Sequence, residues 1–301
     1  MEGLWKAPRL KPLNPIFHVV AFNRDEPSND YPGLGRPKDA GYVLQSATTP
    51  NHFTNSQLNN IMFAQSGMSV NTLYQENSFG SVSFAGDVIG PFTITVPTTC
   101  DTSNVDSQAD HAATAAGTDL SLYQHRVYML PNKMSPICTW CGLSNLGGSQ
   151  TNSWIDTGAY GPTDTNMYGV LQHELGHVLN MQHAQAIKSD GRLDEYGDDS
   201  CLMGGGGYSF VSFNVPHLIQ EGWLPLSNIQ QVSVSGIYQV AFAEQQTTSV
   251  QALQIVPPGT TDALYVLNPA HSWPSKRGRK AVSCGSWRSF GTLSLTPLLV
   301  R

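Results

Sequence analysis

Two histidines four residues apart, His173 and His177, flank a glutamate, Glu174, in the run Gln172-His173-Glu174-Leu175-Gly176-His177-Val178-Leu179-Asn180-Met181-Gln182-His183. On a helix that spacing sets both imidazoles on one face, one turn apart, so a nitrogen from each can reach a single metal ion. Glu174 sits beside the first histidine. From there its carboxylate reaches a metal-bound water rather than the metal, which is the position a general base needs. His183 offers a third imidazole. Three neutral imidazoles suit zinc, which accepts tetrahedral geometry, keeps its fourth position for water and draws that water's pKa toward neutrality. The expected reaction is metal-assisted peptide hydrolysis without a covalent intermediate.

A helix continuing past His177 would swing His183 off the metal-facing side. The chain must therefore turn sharply between them. Such a turn usually needs a residue tolerant of positive φ, typically Gly. Asn180 stands there, and Asn is the next most tolerant type. The competing reading, two surface histidines on a helix, gives no role to His183. Twenty residues beyond His183, the segment Tyr196-Gly197-Asp198-Asp199-Ser200-Cys201-Leu202-Met203-Gly204 places Met203 in a tight turn.

At this point the sequence resembles the metzincin metallopeptidases, whose pattern is HExxHxxGxxH followed by a methionine-containing turn beneath the zinc; Met203 is the matching position. It is similar in particular to the gametolysin family, peptidase family M11. The similarity is carried by Ser69-Val70 with Leu73 to Gly80, by Val88-Ile89-Gly90-Pro91-Phe92, by Gln182-His183-Ala184 and by Tyr196 to Gly204. Phe213-Asn214-Val215-Pro216-His217 and Gly222-Trp223-Leu224 match as well. Together they cover roughly residues 55–270. The resemblance implies a zinc endopeptidase acting on extracellular-matrix or cell-wall glycoproteins, with His173, His177 and His183 as ligands, Glu174 as base, and a location outside the cell or in the wall. Val178 and Asn180 stand where the family usually has Asn and Gly, and residues after about 270 no longer look like its C-terminal strands. The alternative from another class is a catalytically weak or inactive relative retained for matrix binding. Glu174, which a pure binder would not need, discriminates against it. A zinc hydrolase acting on non-peptide amides is a weaker rival.

Other side chains read less sharply. His111, His125 and His217 are scattered and read as surface or hydrogen-bonded histidines. The metzincin resemblance implies a tyrosine near the methionine turn that steadies the tetrahedral intermediate, and Tyr208, five residues past Met203, could serve. Asp198 and Asp199 could orient a ligand or bind calcium, or simply form a solvated turn; nothing else supports calcium. Five cysteines, Cys100, Cys138, Cys141, Cys201 and Cys284, leave one over in any full pairing. The Cys138/Cys141 CxxC lacks the second close pair of a four-thiolate zinc site. It reads as a disulfide-forming or buried loop pair rather than a redox motif. No GxSxG, Walker loop or dinucleotide fingerprint is present.

The elements that must position this chemistry follow from pattern. The best helix is Asn166 to Asn180. Two further helices are expected around Phe53–Phe63 and Met68–Tyr74, and one over 101–118 with Asp101 as N-cap. Strands are expected on either side of a turn at Gly90-Pro91, at Arg126–Leu130, and as several short ones between Leu226 and Leu267, with one weak strand among loops in 142–165. The fold class is α+β and metzincin-like: a twisted mixed sheet with the active-site helix, then a smaller C-terminal subdomain beginning after His183. Residues 1–40 form an irregular or truncated lead-in, 41–235 the catalytic domain, 236–270 a β-rich segment and 271–301 a basic, irregular tail. An extended peptide would bind along a sheet edge.

The chain has 301 residues, 40% hydrophobic and 13% charged, with formal net charge -6. That supports a folded core and gives no pull toward nucleic acid or anionic membrane. No apolar stretch is long enough to span a bilayer, and no signal peptide is visible. The basic cluster Lys276, Arg277, Arg279 and Lys280 reads as a solvated tail or a frame-shifted end rather than a polyanion contact.

Overall fold

The computed structural model describes residues 38–48, 51–131, 134, 137–158, 165–188, 192–205, 212–234, 238–243, 245–256 and 264–267. Most of the lead-in, Tyr208, Cys284 and the basic tail lie outside the described residues.

The central strand is β1 (Lys38–Ser46), buried on both faces. Its alternation explains this: Tyr42 and Leu44 enter one hydrophobic cluster, Val43 the other. Residues 38–40, assigned by sequence to the lead-in, are the start of this strand. On one side β1 pairs parallel with β2 (Gly86–Ile94), and on the other with β3 (Tyr123–Met129). β3 in turn pairs parallel with β5 (Thr151–Ile155). The short β4 (Gly142–Ser144) runs antiparallel to β5 and closes the order β2-β1-β3-β5-β4. The result is a five-stranded mixed sheet with helices on both faces.

One sheet face carries α1 (Asn55–Phe63), α2 (Val70–Asn77) and α4 (Thr165–Val178). Each of the first two starts with a reciprocal capping box, Thr54 with Gln57 and Ser69 with Thr72, satisfying two end donors at once. The other face carries α3 (Thr102–Ala115), whose small buried residues Val105, Ala109 and Ala113 let it lie close over Tyr42, Leu44 and Tyr128. Asp101 caps it, accepting from the Asn104 N–H at 3.0 Å. A disulfide joins Cys100, just before that cap, to Cys138, so the CxxC cysteines are not bonded to each other.

Two sequence expectations need correction. Gly90-Pro91 does not separate two strands, because β2 runs through it. The β1 register skips between Tyr42 and Leu44 opposite this point, so Pro91 sits at an irregularity of an edge strand where no ladder donor is required. Residues 142–165 hold two strands, not one.

Past α4 the chain forms a small hairpin, β6 (Ala186–Ile187) with β7 (Leu193–Asp194), and the short helix α5 (Val215–Gln220). A three-stranded sheet follows, β8 (Ile229–Val232), β9 (Ala252–Ile255) and β10 (Leu264–Leu267), in the order β10-β9-β8. Among the described residues no helix is long and apolar enough to cross a membrane.

Candidate metal centre

Helix α4 buries Met167, Val170, Leu171, Leu175 and Val178, a three-four spacing that points one stripe into the core. Glu174 falls on that stripe, four residues after Val170, and is 5% exposed. His173 and His177 fall beside it, toward the opening. The Tyr74 hydroxyl donates to the Gln172 carbonyl at 2.6 Å, fixing the helix one residue ahead of His173.

The helix ends in a turn that reverses the chain. The Met181 N–H donates to the Gly176 carbonyl at 3.0 Å and the Asn180 N–H to the His177 carbonyl at 2.8 Å. Between them Asn180 takes φ 70. This is the Schellman arrangement, with its left-handed residue supplied by Asn. The Gly147 N–H also donates to the His177 carbonyl, at 2.8 Å. The turn brings His183 back over the helix.

The three histidines meet there, offering ligand atoms within 4.8 Å of one another. Each ring is held at Nδ1 by a different acceptor. His173 donates to the Leu202 carbonyl at 2.9 Å, His177 to the Met181 carbonyl at 2.8 Å, and His183 to Glu195 Oε1 at 2.7 Å. With each Nδ1 carrying the proton, each Nε2 presents a lone pair inward. The Nε2 atoms of His177 and His183 face each other 3.1 Å apart. A proton or a metal ion between them satisfies both nitrogens, and two nitrogens about 2.05 Å from a tetrahedral zinc are about 3.3 Å apart. Burial pushes His173 down to about 3 and lowers His177 too, so both are neutral donors at neutral pH. The donor set fits a zinc ion.

Two close approaches shape the surroundings. A Cβ on Gly142 would lie 2.3 Å from Glu174 Oε1, so only glycine in β4 lets the carboxylate lie against that strand. A Cβ on Gly176 would lie 2.3 Å from Met203 Sδ; the fully buried Met203 thus seats its sulfur on the helix backbone between the two helical histidines. Burial pushes the Glu174 carboxyl up to about 8, against a hydrogen bond from Ser144. Its Oε2 is buried without a protein partner. A dication among the histidines would draw that value down again.

A cleft of about 290 Å³ opens over these groups, lined by Gly142, Leu143 and Ser144 of β4, by Glu174, and by His177, His183 and Tyr196. Tyr196 lies face-near to His183, with ring centroids 3.9 Å apart. The structure thus brings His173, Glu174, His177, His183, Asn180 and Met203 together. Asp198 is occupied elsewhere: it accepts from Ser200 and Asn214 and braces the methionine turn. Glu195, Tyr196 and Gly142 were given no role at the site from the sequence, since each reaches it through the fold and not through local spacing.

The family model for gametolysin peptidase M11 matches residues 41–277. No curated protein matches the chain.

Proposed function

The chain belongs to the gametolysin peptidase M11 family, a metallopeptidase family, and we propose that His173, His177, His183 and Glu174 form a zinc endopeptidase centre. The observation that supports this most is the inward convergence of three imidazoles, each oriented from behind by its own acceptor. The histidines would hold the ion through Nε2. A bound zinc would supply a Lewis acid that polarises a carbonyl and acidifies water.

The chain's own residues do the rest. Glu174 takes a proton from the attacking water at Oε2 and returns it to the leaving amine nitrogen. Its burial excludes competing donors. The Ser144 hydroxyl and the glycine at 142 hold the carboxylate against β4. Among the described residues β4 has a sheet neighbour on one side only. A substrate strand can pair with its other edge and lay its scissile bond across the cleft. Protein or glycoprotein substrates of the matrix or cell wall, and a location there, rest on the family alone.

The test is metal analysis with casein or gelatin hydrolysis, comparing wild type and Glu174→Ala. We expect about one zinc per chain in both proteins, and a loss of at least about 100-fold in hydrolysis for the variant. Absence of stoichiometric zinc from purified wild type would sink the reading.

A further inference from the structure

His217 is buried in α5, far from the ligands in sequence, and has no part in the chemistry above. Its ring nevertheless touches both arms of the metal centre. Nδ1 lies 3.4 Å from Cys201 Sγ, and the ring also donates to the backbone carbonyl of Gln182. Gln182 immediately precedes His183. Cys201 immediately precedes Leu202, whose carbonyl orients His173, and lies two residues before Met203.

We propose that His217 is a positioning residue for the metal centre, a neutral imidazole that fixes the His183 arm and the Leu202–Met203 arm relative to each other. Three further contacts make α5 a rigid base for it. Asn214 caps the helix by accepting the His217 N–H at 3.1 Å, donates its side-chain amide to Asp198 Oδ2 at 3.0 Å, and donates its backbone N–H to Cys201 Sγ at 3.3 Å. The helix start is therefore tied to the methionine turn before His217 reaches across to Gln182. The tautomer follows from the partners: a carbonyl can only accept, so the nitrogen facing Gln182 carries the proton, and Nδ1 is left to accept from the Cys201 S–H. A ligand held through its peptide neighbour and a ligand held through its carbonyl acceptor are thereby set by one ring. Groups in this outer position typically change metal affinity by about 10–100-fold when removed.

The inference rests on the zinc reading, and the experiment separates the two. Wild type, His217→Leu and His217→Gln are titrated with zinc against a chromophoric chelator, and the cobalt-substituted proteins are compared by visible absorption. We expect His217→Leu, which keeps the bulk but neither polar contact, to bind zinc about 10–100-fold more weakly, with an altered cobalt band. His217→Gln, which keeps a donor toward Gln182, should recover most of the affinity. If His217→Leu does not fold, Cys201→Ala removes the other contact alone and should weaken zinc by about tenfold. Wild-type affinity and an unchanged cobalt band in the folded variants, with only a lower Tm, would overturn the proposal and leave His217 as packing. Failure of wild type itself to bind zinc would instead overturn the zinc reading.

Discussion

The left-handed residue at 180 can be tested quantitatively. Its side chain is exposed, so a substitution there alters backbone preference with little change in burial. Left-handed backbone costs an ordinary L-residue about 1–2 kcal/mol, with Asn partly exempt and a β-branched residue at the upper end. Asn180→Val should therefore destabilise by about 1–2 kcal/mol and Asn180→Gly by nothing measurable. At this chain length about 1 kcal/mol moves Tm by roughly 2–4 °C, so the valine variant should melt about 2–8 °C lower. Where the loss appears is also informative. The turn is closed by backbone bonds of 3.0 and 2.8 Å and by the fully buried Met181, none of which needs a metal. The turn should then exist without zinc, and the loss should fall equally on the metal-free and zinc-loaded Tm. A turn formed only on binding would instead weaken zinc by about 5–30-fold. The assay is thermal unfolding of both forms together with a zinc competition titration. Equal Tm and equal affinity for the valine and glycine variants would refute the claim that the reversal depends on φ at 180.

Three further outcomes are expected. Gly142→Ala should push the Glu174 carboxylate away from β4 and lower kcat by about 100-fold while zinc content stays at wild type; unchanged kcat would mean the 2.3 Å approach is relieved elsewhere. Glu195→Ala removes the acceptor of His183 and should weaken zinc by about tenfold, the low end for such partners because its side chain is 65% exposed; an unaltered titration would show that His183 orients itself. Burial pushes Asp106 up to about 6 against hydrogen bonds from Trp154 and Asn152, so the folded protein holds this proton more tightly than the unfolded chain does. That contribution is complete below the unfolded value of about 4 and is lost as pH rises through the folded one. Tm of Asp106→Asn relative to wild type should thus rise between those values, and a difference that stays flat with pH would contradict the burial argument.

What the sequence disclosed and what it withheld differ in physical kind. The α4 spacing, the Asp101 cap and the turn at Asn180 are local: each is decided by residues within two turns of one another, and each was legible. Of strands β4 and β5 only one weak strand was legible, because the polar residues around them read as loop, and Thr151–Ile155 becomes buried only through the neighbours that cover it. Gly90-Pro91 misled for a related reason: an edge strand tolerates a proline that a central strand would reject. Cys138 pairs across 38 residues with Cys100, a choice that the two-residue gap to Cys141 obscured. Glu195 carried no motif, and Tyr196 was read only as the start of the Met203 segment; a carboxylate and a phenol beside a third histidine acquire meaning only once the chain has doubled back.

The acceptors that orient the three rings also bear on how the molecule assembles. Met181, Glu195 and Leu202 all lie, like the three histidines, between residues 173 and 202. The sheet, by contrast, must join Lys38–Ser46 to the far more distant Tyr123–Met129. Closing the first set encloses short loops and loses little chain entropy, whereas the second has a high contact order. A nascent chain can therefore gather its histidines as soon as this one stretch is available, and a metal bound by them would act as a local staple while the long-range strands are still finding their register.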